Sequence, residues 1–265
     1  MRSDLLESNR IIVKIGTSSL THPNGQTNLN KMEKLARVLT DLNHQGKEII
    51  LVSSGAIGVG TRRLGLTERP QELEMKQATA AVGQAILMQI YEKFFGEYNQ
   101  VIAQVLLTKD VIEDPIKNQN AKNTLFALLK LGVIPIINEN DCISTAQIEG
   151  YRFGDNDTLS AMVAELVDGD LLILLTDIDG LYTDNPKENK DATLIKEVEA
   201  ITSDIEGLGK DTGSKFGTGG MTTKITAAKI AKANETHTVV ALGDDINVLY
   251  NILDGEEVGT WFKAK

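Results

Sequence analysis

The chain has 265 residues, 42% of them hydrophobic, 24% charged and 5% aromatic, a composition ordinary for a globular protein and a length that one large α/β domain can fill. Its formal net charge of -10 argues against nonspecific nucleic-acid binding or adhesion to an anionic membrane, both of which need a basic field. The single cysteine, Cys142, cannot form an internal disulfide, and Met1 to Arg10 lacks the apolar core of a secretion signal, so the expected location is the cytoplasm.

Arg10 to Ile15 reads as a strand ending at Gly16. Met32, Leu35, Ala36, Leu39 and Leu42 recur with a helical period, which predicts an amphipathic helix over 30–45, stopped by Gly46. Glu48 to Val52 is the next strand and opens into a small-residue stretch, Ser53 to Gly60. A long helix is expected over 71–98, a strand over 101–107, a helix over 118–131 and a strand over 133–137. Asp141 to Phe153 alternates like a short hairpin. A helix over 157–167 leads to Leu171 to Leu175, the longest aliphatic run and far too short to span a bilayer. A β-excursion is expected over 181–196, then helix 221–233, strand 238–242, helix 246–253 and a last strand over 258–262. Strands alternating with helices predict a mainly parallel sheet covered on both faces, with ligands at the carboxyl ends of its strands.

Four loops after strands or before helices hold the candidate chemistry. Lys14-Ile15-Gly16-Thr17-Ser18-Ser19 places a lysine at the end of a buried strand, which is costly unless the charge has a partner. It reads equally as a strand-end lysine reaching solvent. Ser53 to Gly60 offers backbone N–H groups at a helix start, where anions bind, or is simply a tight turn. Asn138-Glu139-Asn140-Asp141 and Gly154-Asp155-Asn156-Asp157 concentrate acids and amides. Such residues also favour turns and caps, and Asp157 reads equally as an N-cap. Gly217-Thr218-Gly219-Gly220-Met221-Thr222-Thr223-Lys224 is a phosphate-cradle candidate opening a helix, although no Walker sequence occurs in the chain. His22, His44 and His237 form no triad, and Cys142 reads as a small core residue rather than a nucleophile.

Six segments, VKIGTSSL (13–20), VSSGAIGVG (52–60), PIINENDCIST (135–145), FGDNDTLSA (153–161), LLTDIDGLYTDNP (174–186) and GTGGMTTK (217–224), follow one another over essentially the whole chain. On them the sequence resembles the glutamate 5-kinases of the amino acid kinase family. The resemblance implies a three-layer αβα sandwich with a central mainly parallel sheet, as one domain over 1–265. Its N-terminal lobe, about 1–165, would bind glutamate, and its C-terminal lobe, about 166–265, would bind ATP. It implies ATP-dependent phosphorylation of the γ-carboxylate of L-glutamate, the first step of proline synthesis, with Mg²⁺ accompanying ATP. Lys14 and Lys224 would contact the transferring phosphoryl group and Asp157 would position them. Ser54, Asp141 and Asn156 would bind glutamate. Gly16, Thr176, Asp177, Thr218, Gly219, Gly220, Met221, Thr222 and Thr223 would join the lysines around ATP, with Gly55 as a further backbone donor. Proline as feedback inhibitor and a homo-oligomer, dimer or tetramer, are implied too. Many members append a PUA domain, for which a chain ending at Lys265 has no room.

These residue types suit that chemistry. A carboxylate nucleophile is already ionised at neutral pH, so no general base is required. What remains is bringing one anion to a polyanion, which cationic side chains and in-line positioning achieve. The α-ammonium group of free glutamate wants a carboxylate such as Asp141, whereas N-acetylglutamate lacks that charge. Two alternatives stay open: a kinase of another small acid, and an amino-acid sensor with an inactive kinase site.

Overall fold

A computed structural model describes residues 1–22, 24–143, 156–186, 188–209 and 220–264. In chain order the elements are α1 (Ser3–Leu6), β1 (Arg10–Ile15), α2 (Thr17–Leu20), α3 (Leu29–His44), β2 (Glu48–Ser53), α4 (Ala56–Arg63) and α5 (Leu73–Gly96). There follow β3 (Ile102–Leu107), α6 (Lys109–Glu113), α7 (Pro115–Lys130), β4 (Ile134–Glu139), α8 (Asn156–Leu166), β5 (Leu171–Thr176), β6 (Leu181–Tyr182) and β7 (Leu194–Ile195). The chain continues through β8 (Glu197–Val198), α9 (Ser203–Leu208), α10 (Met221–Ala233), β9 (His237–Leu242), α11 (Val248–Leu253) and β10 (Thr260–Phe262). Two compact units result, one of residues 15–152 and one of residues 1–14 with 153–265.

In the 15–152 unit the strands run in the order β3-β4-β2. Both pairings are parallel, with Leu51 opposite Ile136 and Ile102 opposite Ile134. The carboxyl ends of β2 and β4 therefore open side by side. Helix α3 buries Met32, Leu35, Ala36, Val38, Leu39 and Leu42, and the Asn28 side chain caps it by accepting from Lys31 N. Helix α7 begins earlier than its apolar period suggests. Asp114 caps it by accepting from Ile116 N and Lys117 N, and Pro115 takes the first position, where a missing N–H costs nothing.

Helices α4 and α5 come unusually close. A methyl group added at Gly83 would lie 1.7 Å from Ala56 O, and one at Gly60 would lie 1.9 Å from Thr79 O. The stretch Ser53 to Gly60 is thus not one glycine loop. Ser54-Gly55 is the loop, while Gly58 and Gly60 are helical and Gly60 serves packing. Gly55 caps α4 at φ +109°, a conformation that favours glycine.

In the other unit the order is β1-β5-β9-β10-β8. β5 and β9 pair in parallel, β9 and β10 antiparallel, and β10 and β8 parallel. All six residues of β5 are buried, as expected of a strand covered on both faces. The excursion after it is an antiparallel pair, β6 with β7. Arg2 is buried here and holds the start of the chain, donating to Lys196 O at 2.7 Å and Gly259 O at 2.9 Å. Asp141 to Ile143 form a turn, and the rest of the expected hairpin, 144–153, lies outside the described residues. No helix among the described residues is long and apolar enough to cross a membrane.

Candidate active site

Lys14 is the fifth residue of β1, Asp157 the second of α8, and Thr223 and Lys224 the third and fourth of α10. All belong to one unit, and they converge. Lys14 Nζ lies 2.6 Å from Asp157 Oδ1, and Lys224 Nζ lies 3.1 Å from Asp157 Oδ2. The Thr223 hydroxyl donates to Asp157 Oδ2 at 2.8 Å. The cluster is dry: Lys14 is 5% exposed, Lys224 4% and Asp157 0%.

Burial by itself would push the Asp157 carboxyl up. The two lysines, with hydrogen bonds from Lys14 and Thr223, outweigh that and hold it well below the usual carboxylate range. Asp157 is therefore ionised at any physiological pH. It sits inside the first turn of α8, so the N-cap reading does not hold; its side chain binds lysines. Two ammonium groups and one carboxylate sum to a formal charge of one positive, gathered at a strand's carboxyl end and beside the N-terminus of α10. Gly220 caps that helix without a side-chain acceptor, an arrangement suited to anions.

The other nucleotide candidates are distributed as follows. Thr176 ends β5, is buried, and donates to Asp177 Oδ1 at 3.1 Å. Met221 is buried, and the Thr222 hydroxyl ties α10 to the chain after α9 by donating to Gly209 O at 2.7 Å. Gly16, in the 15–152 unit, caps the short helix α2 in an extended conformation. Thr218 and Gly219 lie outside the described residues.

Of the acceptor candidates, Ser54 and Asp141 belong to the 15–152 unit and follow β2 and β4, whose carboxyl ends adjoin. Asn156 is the half-buried first residue of α8 in the other unit. Burial and the neighbouring Glu139 charge push the Asp141 carboxyl up to about 6, partly opposed by the cation of Arg69. Arg69 escapes sequence reasoning because it stands in no motif; only the fold brings its field to Asp141. Cys142, expected in a core, is exposed on the turn that follows β4.

A model of the amino acid kinase family matches residues 9–241. The chain belongs to the amino acid kinase family. Within it, the chain is 52% identical to a glutamate 5-kinase of Clostridium perfringens, over 100% of this chain and 99% of that protein. It is 52% identical to one from Listeria monocytogenes over 100% and 96%, and 50% identical to one from Enterococcus faecalis over 99% and 97%. Among solved structures it is similar to a UMP kinase from Bacillus anthracis, with TM-score 0.66, 18% identity and 97% of each chain covered. An isopentenyl phosphate kinase from T. acidophilum matches with TM-score 0.64 and 18% identity, over 96% of this chain and 100% of that one. At such identity these two speak for the fold alone. The mostly parallel strands flanked by helices in this amino acid kinase are the fold class expected from its sequence.

Proposed function

We propose that the protein transfers the γ-phosphoryl group of ATP to the γ-carboxylate of L-glutamate, giving L-glutamyl 5-phosphate and ADP at the head of proline synthesis. The observation that carries this reading is the buried set of two lysines on one carboxylate, Lys14 and Lys224 on Asp157. Full-length relatives at 50 to 52% identity bearing the name glutamate 5-kinase support the choice of acceptor.

The chemistry follows from the charges. A γ-carboxylate oxygen of glutamate forms a bond to phosphorus, the bond from phosphorus to the β–γ bridging oxygen breaks, and its electron pair leaves with ADP. The nucleophile is ionised at neutral pH, so no side chain need take a proton. Lys14 and Lys224 offset charge on the transferring phosphoryl group, and Asp157 holds both ammonium groups in place. At an effective dielectric near 20, one opposite charge at about 4 Å is worth roughly 4 kcal/mol, so two such groups matter. Gly16, Gly55 and the first turn of α10 add backbone donors. Thr176, Asp177 and the loop through Thr218 and Gly219 to Lys224 complete the nucleotide side. Ser54, Asp141 and Asn156 hold glutamate, with Asp141 taking its α-ammonium group.

Mg²⁺ fits as a companion of the nucleotide rather than as a resident of a protein cage. No three His, Cys, Asp or Glu side chains among the described residues gather to hold a metal, and Asp157 already faces two lysines. Mg²⁺ commonly binds through substrate phosphates and water. Bound there, it would withdraw charge from the β- and γ-phosphate oxygens.

An ADP-release assay over L-glutamate, N-acetylglutamate and L-aspartate, with and without proline, tests the reading. L-Glutamate is expected to be the preferred acceptor. Proline is expected to inhibit competitively with it at the acceptor pocket. Comparable turnover of N-acetylglutamate overturns the role of Asp141, and inhibition that glutamate cannot relieve overturns the proline site.

A further inference from the structure

The two acceptor loops of the 15–152 unit are each preceded by a buried polar residue at a strand end: Ser53, 0% exposed, before Ser54, and Asn138, 4% exposed, before Glu139. Polar groups are costly inside a sheet unless they are held. Both reach the same helix. The Tyr91 hydroxyl lies 2.7 Å from Ser53 Oγ, and Gln84 Oε1 accepts from Asn138 Nδ2 at 2.8 Å. Gln84 and Tyr91 stand seven residues apart on α5, two turns along one face, and both are buried.

The Gln84 bond fixes which way the Asn138 amide faces. With its Nδ2 turned to Gln84, its Oδ1 accepts from Glu139 N at 2.9 Å, which sets how the chain leaves β4 toward Asp141. The same helix meets α4 at backbone distance through Gly83, so it also fixes the helix that Gly55 caps. One rigid element thus sets both sides of the acceptor site.

We propose that Gln84 and Tyr91 are positioning residues for the phosphoryl acceptor: from α5 they hold the ends of β4 and β2, and so place Asp141 and Ser54. This rests on the reading of those two loops as the acceptor site. Neither side chain touches substrate; each acts through its strand-end partner.

The test compares wild type with Gln84→Met, which keeps the volume and removes the acceptor oxygen, and Tyr91→Phe, which removes the hydroxyl. For each protein the KM of L-glutamate, the KM of ATP, kcat and Tm are measured. Removing the Gln84 acceptor that orients the Asn138 amide is expected to raise the KM for glutamate by about tenfold while the KM for ATP stays as in wild type. Tyr91→Phe is expected to move the same constant in the same direction. A fall in Tm with both KM values unchanged, or with both moved alike, overturns the proposal and marks the bonds as structural. The functional reading fails separately. If wild type uses another acceptor in place of glutamate, the glutamate assignment falls and the split is judged on that acceptor's KM. If wild type uses glutamate and neither variant alters its KM, the positioning role falls and the glutamate assignment stands.

Discussion

Lys14 and Lys224 are each about as buried as a leucine in the core, and the Asp157 carboxylate between them offsets the cost of burying their charges. Removing either lysine takes one cation from the transferring phosphoryl group. Lys14→Ala and Lys224→Ala are each expected to lower kcat by on the order of 10²-fold, the loss seen when one transition-state donor is deleted. Steady-state kinetics checks this, and a change confined to KM contradicts it. Asp157 has the opposite liability. Asp157→Asn leaves two ammonium groups facing a neutral amide in a dry site, and removing one partner of a buried ion pair costs roughly 3 to 5 kcal/mol of folding stability. Its folded-state pKa lies below the unfolded value of 3.8, so the stabilisation is fully present above that value and is lost as pH falls through the folded pKa. Urea unfolding of wild type and variant, from neutral pH down to about 3, should show the gap between them narrowing toward acid.

Asp141 titrates the other way. Its carboxyl is pushed up to about 6, so it gains a proton in a range where the α-ammonium group of glutamate keeps its charge. The ion pair with substrate is lost as pH falls through that value. The KM for glutamate is expected to rise below pH about 6 in wild type, and Asp141→Asn is expected to have a higher KM that no longer responds to pH there. A wild-type KM that is flat from pH 5 to 8 contradicts the assignment. That raised value was invisible in the sequence, because Asp141 next to Asn140 looks like any turn. Its cause is the fold, which half-buries Asp141 and sets it within the field of Glu139 and Arg69.

At the scale of elements, what the sequence revealed depended on how local the signal was. β1 and α10 have the expected bounds because an apolar run and a helical period announce them without tertiary help. α1, α2, α6 and α9 are four to six residues long, too short to carry a period, and went unread. The stretch Ser53 to Gly60 misled for a physical reason: glycines suggest a loop, yet Gly60 is glycine because the neighbouring helix leaves no space. Gly83 carried no signal at all, since its partner Ala56 is distant in sequence. Gly83→Ala is expected to force α4 and α5 apart and lower stability by about 1 to 3 kcal/mol or more, as overpacking does. Thermal unfolding of that variant measures it, with Gly46→Ala as the contrast. A methyl group at Gly46 meets nothing within 4 Å, so there the cost is confined to its φ of +92°.

At the scale of the molecule, the parallel fold and the placement of loops at strand ends were both legible, because alternation of strand and helix fixes them. The boundary between units was not. The expected lobes met near residue 165, whereas β1 and α8 group with the C-terminal segment, which is what puts Lys14, Asp157 and Lys224 in one unit. The division carries a consequence for ligand binding. The proposed nucleotide residues Lys14, Thr176, Asp177 and Gly220 to Lys224 lie in one unit, while Ser54 and Asp141 lie in the other. Bound ligands suppress local opening where they make their contacts. A nonhydrolysable ATP analogue alone is therefore expected to slow amide hydrogen exchange at the first turn of α10 and the end of β5. L-Glutamate alone is expected to slow it in the segments that follow β2 and β4. Exchange measured by mass spectrometry resolves these peptides, and glutamate protection confined to α10 and β5 would remove Ser54 and Asp141 from the acceptor site.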